Sequence, residues 1–131
     1  MQAAPASEHL ADVAARGDRP RVQEMLNAGA DPDAPNAFGR TAIQVMQMGN
    51  PELARLLLQR GANPNRPDPT TGTCPAHDAA REGFLETLVA LLEGGASLYE
   101  PQDNFGKRPI DVATSTIISE LARIGLLQNH A

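Results

Sequence analysis

At 131 residues the chain is long enough for one folding unit and too short for two. Its net charge of −5 argues against nucleic acid as the main partner, since phosphate recognition needs a basic stripe, but suits a basic surface on a protein partner. Three Phe, one Tyr and no Trp leave Leu, Ala, Val, Ile and Met to form the core, and no run of 18 apolar residues is present to cross a membrane.

In chain order, Ser7 is expected to cap a first helix that ends near Arg16-Gly17. Asp18 caps a second, with Pro20 in its first turn, where a missing N–H does no harm. Val22, Met25 and Leu26 give that helix one apolar face, and Gly29 ends it. Phe38-Gly39 marks a tight turn before a helix opened by Thr41. The β-branched Thr41, Ile43 and Val45 weaken that helix, so one distorted turn at most is expected. Asn50-Pro51-Glu52 caps the next helix, faced by Leu53, Leu56 and Leu57. Pro75 starts another, and Leu85, Leu88, Val89 and Leu92 carry the one after it. Pro109 to Ala113 forms a further helix. Thr114-Ser115-Thr116 then fills a turn before a last helix with Ile118, Leu121 and Ala122 on its face, and the tail from Gly125 is expected to fray.

Three markers recur through these elements in one phase. Gly29-Ala30, Gly61-Ala62 and Gly95-Ala96 are 32 and 34 residues apart. Gly39, Gly72 and Gly106 follow at 33 and 34, and Gly17, Gly49 and Gly83 mark a second turn in each unit. A period near 33 with two helices and a turn is the signature of ankyrin repeats. The expected fold is all-α: a single solenoid domain over 1–131 with four repeats at about 7–32, 33–64, 65–98 and 99–125, joined by hairpin-like loops. Gly39, Gly72 and Gly106 are structural positions in those loops. Such arrays present a long binding surface and rarely do chemistry.

No nucleophile elbow, zinc-protease helix or phosphate loop occurs, so no enzyme is expected. Asp31, Asp33 and Asn36 lack the Gly and later Glu of a calcium loop, and neither a metal nor a cofactor is expected. His77 sits in Cys74-Pro75-Ala76-His77, where ankyrin repeats carry Thr-Pro-Leu-His; its ring is expected to bond to backbone and tie one repeat to the next. Cys74 is the lone cysteine and is expected to be a buried small hydrophobe. Met46 and Met48 are thioethers available to fill an awkward repeat. Asp78, Arg81 and Glu82 share one helix face, which by spacing alone is a solvated surface with a weak Asp78–Arg81 pair. With no basic-then-apolar leader after Met1, residence in cytoplasm and nucleus is expected.

Two runs are more specific than any ankyrin consensus: Ile43-Gln44-Val45-Met46-Gln47-Met48-Gly49, and His77-Asp78-Ala79-Ala80-Arg81-Glu82-Gly83-Phe84-Leu85-Glu86-Thr87-Leu88. With them, the stretch from about Leu10 to Ala113 closely resembles the ankyrin-repeat inhibitors of cyclin-dependent kinases four and six, in their four-repeat branch. The resemblance implies a protein that is a monomer when free. It implies binding to the catalytic kinase subunit beside its ATP cleft, a twist of the kinase lobes and weakened cyclin binding, and so restraint of the G1 to S transition. It implies that Asp78 pairs with a kinase arginine, with Arg81 and Glu82 beside it and Asp68 as a second acidic contact. It further implies that Phe38, Gln44, Val45, Met46 and Gln47 pack on the kinase. Gln47 stands where that family often has Met, and repeat four lacks the usual Gly-His turn. The alternative reading is a generic ankyrin adaptor for another intracellular protein.

Overall fold

The computed structural model describes residues 8–127, which form helices and loops with no strand among them. Ser7, the expected first cap, lies outside the described residues. The helices come in four pairs: α1 (Leu10–Ala15) with α2 (Arg19–Asn27), α3 (Ala42–Val45) with α4 (Pro51–Gln59), α5 (Pro75–Glu82) with α6 (Leu85–Glu93), and α7 (Pro109–Val112) with α8 (Ser115–Arg123). First helices stack on first helices, α1 on α3 and α5 on α7, and α4 packs on α6. One continuous apolar seam runs between the layers, from Leu10 and Val13 through Ile43, Leu53, Leu57, Leu88 and Leu91 to Ile117 and Leu121. No single pair has enough apolar surface to stand alone, so stability is shared along the stack.

Local chemistry starts and stops these helices. Asp18 accepts the Arg21 N–H at α2, and Asn50 accepts that of Leu53 at α4. Thr114 accepts that of Ile117 at α8. These side chains satisfy donors that the first helical turn leaves open. All four second helices end the same way. Gly29, Gly61, Gly95 and Gly125 take positive φ, and the next residue's N–H returns to a carbonyl of the final turn: Ala30 to Met25, Ala62 to Leu57, Ala96 to Leu91 and Leu126 to Leu121. This is the Schellman closure, and only glycine adopts its φ without strain.

Several sequence expectations need correction. Thr114 caps α8 and Ser115 begins it, so the connection is shorter than Thr114-Ser115-Thr116. The buried face of α8 is Ile117 and Leu121, while Ile118 and Ala122 are exposed. A shift of one residue rotates a helix face by about 100°. The chain at Gly125 and Leu126 closes back onto α8, and the rest of the tail expected to fray, 128–131, lies outside the described residues. In α6, Leu88 and Leu91 are the fully buried leucines, with Leu85, Val89 and Leu92 only half-buried. Gly49 does not share the positive φ of Gly17 and Gly83; a Cβ there would sit 3.2 Å from the Phe84 ring.

Repeat two is irregular as its composition implies. α3 is a single turn, and Met46 behind it is extended at φ −61°, ψ 156°. Met46 and Met48 then turn their thioethers into the seam, at 4% and 6% exposure. α7 is equally short, so a one-turn first helix is not peculiar to repeat two.

Candidate functional site

The third residue of each first helix after α1 does the same local work. At α3, Gln44 Oε1 accepts the Thr41 N–H at 2.6 Å. At α5, His77 Nδ1 accepts the Cys74 N–H at 3.0 Å, and at α7 Asp111 accepts the Arg108 N–H at 2.8 Å. The far ends of the first two side chains reach the following repeat. Gln44 Nε2 donates to the Arg66 carbonyl at 2.9 Å, and His77 Nε2 lies 2.8 Å from the Lys107 carbonyl. With Nδ1 accepting, Nε2 carries the proton and donates. An amide and an imidazole thus serve as equivalent ties between repeats. Gln44 therefore has a structural task within the stack, while its side chain stays half-buried rather than enclosed. The signal was present in the sequence, since Gln44 stands 33 residues before His77. Cys74, beside this tie, is buried, and burial together with the Asp78 charge pushes its thiol up to about 11. It is unreactive near neutral pH.

The loops between pairs share one construction. Asn36, Asp68 and Asp103 each accept backbone N–H groups from the next residues with a side-chain oxygen. Gly39, Gly72 and Gly106 complete the turns at φ of 78°, 75° and 77°. At Gly72 two constraints coincide, because a Cβ would also lie 2.9 Å from the Asn104 backbone nitrogen. The loops stack that closely because Asn104 donates to the carbonyls of Thr70 and Thr71.

Asp68 is occupied within the molecule. Its carboxylate receives Arg40 Nε at 2.7 Å and Nη2 at 3.3 Å, besides the Thr70 and Thr71 N–H groups. The Arg40 hydrogen bond, assisted by those N–H groups and opposed by burial, holds its carboxyl below the ordinary value of 3.8. A lowered carboxyl stabilises the fold above its unfolded value and loses that contribution as the pH falls through its folded one. Asp68→Asn is expected to lower stability by about 1–2 kcal/mol at pH 7, because Arg40 loses its charged partner. The difference from the parent should shrink below about pH 4, and urea melts at pH 7 and pH 3 measure it. An equal difference at both values would remove the ion pair from the account.

Asp78 has the opposite environment. It sits in the first turn of α5, half-buried, with Arg81 as its one hydrogen-bonding side chain among the described residues. Burial is the main influence and pushes its carboxyl up; Arg81 opposes, and Glu82 adds repulsion. It is an under-compensated carboxylate on an accessible face, and such groups mark functional sites. Arg81 and Glu82 are exposed beside it. Of the remaining expected contacts, Phe38 is 73% exposed and Gln47 is exposed. Gln44 and Val45 are half-buried and Met46 is buried, so the ring of Phe38 and the amide of Gln47 are the exposed groups of this set. Sequence reasoning passed over Phe105, at 81% exposure the counterpart of Phe38 two repeats on. Its signal was the repeated Phe-Gly pair.

Among the described residues no three or more His, Cys, Asp or Glu gather to hold a metal ion, and no helix is long and apolar enough to cross a membrane. What the arrangement offers is a rigid polar and aromatic surface.

Comparison with known proteins agrees with this geometry. Residues 10–104 match ankyrin repeats in three copies, a span that stops short of α7 and α8. Cyclin-dependent kinase inhibitor 2A of Monodelphis domestica is 57% identical over 106 residues, covering 81% of this chain and 61% of that protein. Cyclin-dependent kinase 4 inhibitor B of Homo sapiens is 56% identical over 106 residues, covering 81% of this chain and 76% of that protein. Cyclin-dependent kinase inhibitor 2A of Homo sapiens is 50% identical over 119 residues, covering 91% of this chain and 76% of that protein. With its helical pairs stacked as a solenoid and its two diagnostic runs in repeats two and three, the chain belongs to the ankyrin-repeat inhibitors of cyclin-dependent kinases.

Proposed function

We propose that this chain binds the catalytic subunit of the cyclin-D-dependent kinases four and six and holds it inactive, restraining passage from G1 to S. Asp78 carries the reading: a half-buried carboxylate, raised by desolvation, on an exposed helix face. A partner arginine supplies the charge that the fold withholds, and its fork fits a carboxylate bidentately. The relatives support it through their names, one an inhibitor of cyclin-dependent kinase 4 and the other a cyclin-dependent kinase inhibitor. The chain is a regulator and not an enzyme. Inhibition proceeds by preferential binding to an inactive kinase conformation, since only differential affinity shifts an equilibrium. We take the free protein to be a monomer of cytoplasm and nucleus. Its net charge of −5 supports a protein partner over nucleic acid, and neither nucleic acid nor membrane is among the partners proposed.

Titration of the purified kinase catalytic subunit, with and without cyclin D, tests this. Saturable binding that cyclin D weakens, together with loss of phosphorylation of a retinoblastoma-type substrate, is expected. Absence of binding at micromolar concentration to either kinase would defeat the reading.

The raised carboxyl gives the interaction a pH dependence. A partner cation requires the ionised form of Asp78, and the free protein favours the neutral form more than an ordinary aspartate does. Affinity is therefore expected to fall as the pH drops through the raised value, before ordinary carboxylates titrate. Calorimetric titrations across the acid range, with Asp78→Asn as reference, measure this. A parent whose affinity stays as flat as the Asn variant's would exclude Asp78 as the linked group.

A further inference from the structure

The chain has three phenylalanines and all three are exposed: Phe105 at 81%, Phe38 at 73% and Phe84 at 39%. Rings of this size usually lie inside, and a chain this poor in aromatics has the most to gain from burying them. Phe38 and Phe105 also hold one position in equivalent turns. Each precedes a left-handed glycine, and each donates its N–H to the side chain that anchors the loop, Asn36 at 2.8 Å and Asp103 at 2.9 Å. The loop between them, in repeat three, carries Thr70 and Thr71 and no aromatic.

Both phenylalanine loops are braced to repeat three. Arg40, two residues after Phe38, forms the ion pair with Asp68. Lys107, two residues after Phe105, accepts from His77, the neighbour of Asp78 in sequence. Asn104, next to Phe105, donates to Thr70 and Thr71. Lys107 chiefly holds the Asp103 carboxyl low through its N–H, and the Arg81 charge on α5 contributes. Packed helices lie about 8–10 Å apart, which places the two rings roughly 16–20 Å from each other with repeat three between them.

We propose that Phe38 and Phe105 are paired apolar anchors on either side of Asp78, and that Phe105 brings repeat four into the kinase interface. The inference rests on the proposed function and deepens it. Its partner chemistry is two apolar depressions on the kinase catalytic subunit, flanking the basic residue that meets Asp78. Rigid aromatic side chains on braced loops lose little entropy on binding, and such rings dominate interface energetics. A central charge with a ring on each side also sets the orientation of the long array on its partner, which one ion pair leaves open. Continuity of this row with the Asp78 face favours the same kinase over any second partner.

Calorimetric titration of the kinase catalytic subunit with Phe38→Ala, Phe105→Ala, the double variant and Phe84→Ala tests the proposal, with thermal melts alongside. Each loop-tip variant is expected to bind about tenfold more weakly or worse, and the double variant about a hundredfold, with melting unchanged. Phe105→Tyr, which keeps the ring, should bind like the parent. Phe84 lies at the far end of α5, about 12 Å along the helix, and Phe84→Ala should keep parental affinity per folded molecule. If Phe105→Ala binds like the parent while the parent binds the kinase, the anchor is refuted and the proposed function stands. If Phe84→Ala weakens binding as much as Phe105→Ala does, the assignment to the loop tips fails. A parent that does not bind the kinase refutes the underlying reading, and this inference with it.

Discussion

Asp78→Ala is expected to weaken binding to the kinase catalytic subunit by about 2–5 kcal/mol, the range for removing one partner of a buried, hydrogen-bonded charge pair at an interface. Much of that loss comes from the partner arginine, which would be left desolvated without its carboxylate. The fold should barely respond. Among the described residues the Asp78 carboxylate has one hydrogen-bonding side chain, Arg81, and this surface pair contributes little. Because burial raises its carboxyl, the ionised side chain costs stability at neutral pH, and truncation relieves that cost. The sign is opposite to that at Asp68. A raised carboxyl contributes fully below its unfolded value and loses that contribution as the pH rises through its folded one. Melting at pH 7 should therefore stay within about 1 kcal/mol of the parent or rise slightly, and any gain should vanish in acid. Titrations corrected for the folded fraction separate the two effects. Unchanged affinity with a collapsed melting temperature would make Asp78 a structural residue.

His77→Ala is the converse case, with a large effect on the fold. The imidazole is fully buried and satisfies two backbone groups, the Cys74 N–H and the Lys107 carbonyl. Truncation leaves both without that partner and opens a cavity at a fully buried position, at an expected cost of about 3–5 kcal/mol. Such a loss is a large share of the 5–15 kcal/mol typical of a domain. His77 is the buried side-chain tie from α5 to the repeat-four loop, beside the Asn104 bonds to Thr70 and Thr71, so α7 and α8 should open first. Amide hydrogen exchange should show protection lost there before it is lost in α4. The structure also predicts the rescue. Gln44 performs the same two-ended task one repeat earlier, so His77→Gln should recover most of the stability. If the Gln variant melts with the Ala variant, the paired hydrogen bonds are not what His77 contributes.

The irregular second repeat shows how far a single sequence reaches. Thr41, Ile43 and Val45 predict a poor helix, and one turn is what forms. The same residues do not reveal that Met46 and Met48 turn inward or that Gln44 is spent on the Arg66 carbonyl. Of the residues that the kinase-inhibitor resemblance placed on a contact surface there, Phe38 and Gln47 are exposed and Met46 is buried. At the other end of the chain, α8 has its apolar residues where the pattern expected a helix, yet the buried pair is Ile117 and Leu121. An amphipathic pattern states that a face exists. Which of two adjacent isoleucines enters the seam depends on the repeat packed against it.

The period near 33, the side-chain caps at Asp18 and Asn50 and the glycine turns were determined by sequence alone, because each rests on bonds between residues at most five apart. Only the tertiary structure decided which polar groups are used up inside the molecule. Arg40 meets Asp68 across 28 residues, Gln44 meets Arg66 across 22, and His77 meets Lys107 across 30. Asp68 and Asp78 look alike as exposed-type residues in a list. Stacking gives the first an arginine from the preceding repeat and leaves the second half-buried with Arg81 as its hydrogen-bonding side chain among the described residues, so the fold lowers one carboxyl and raises the other.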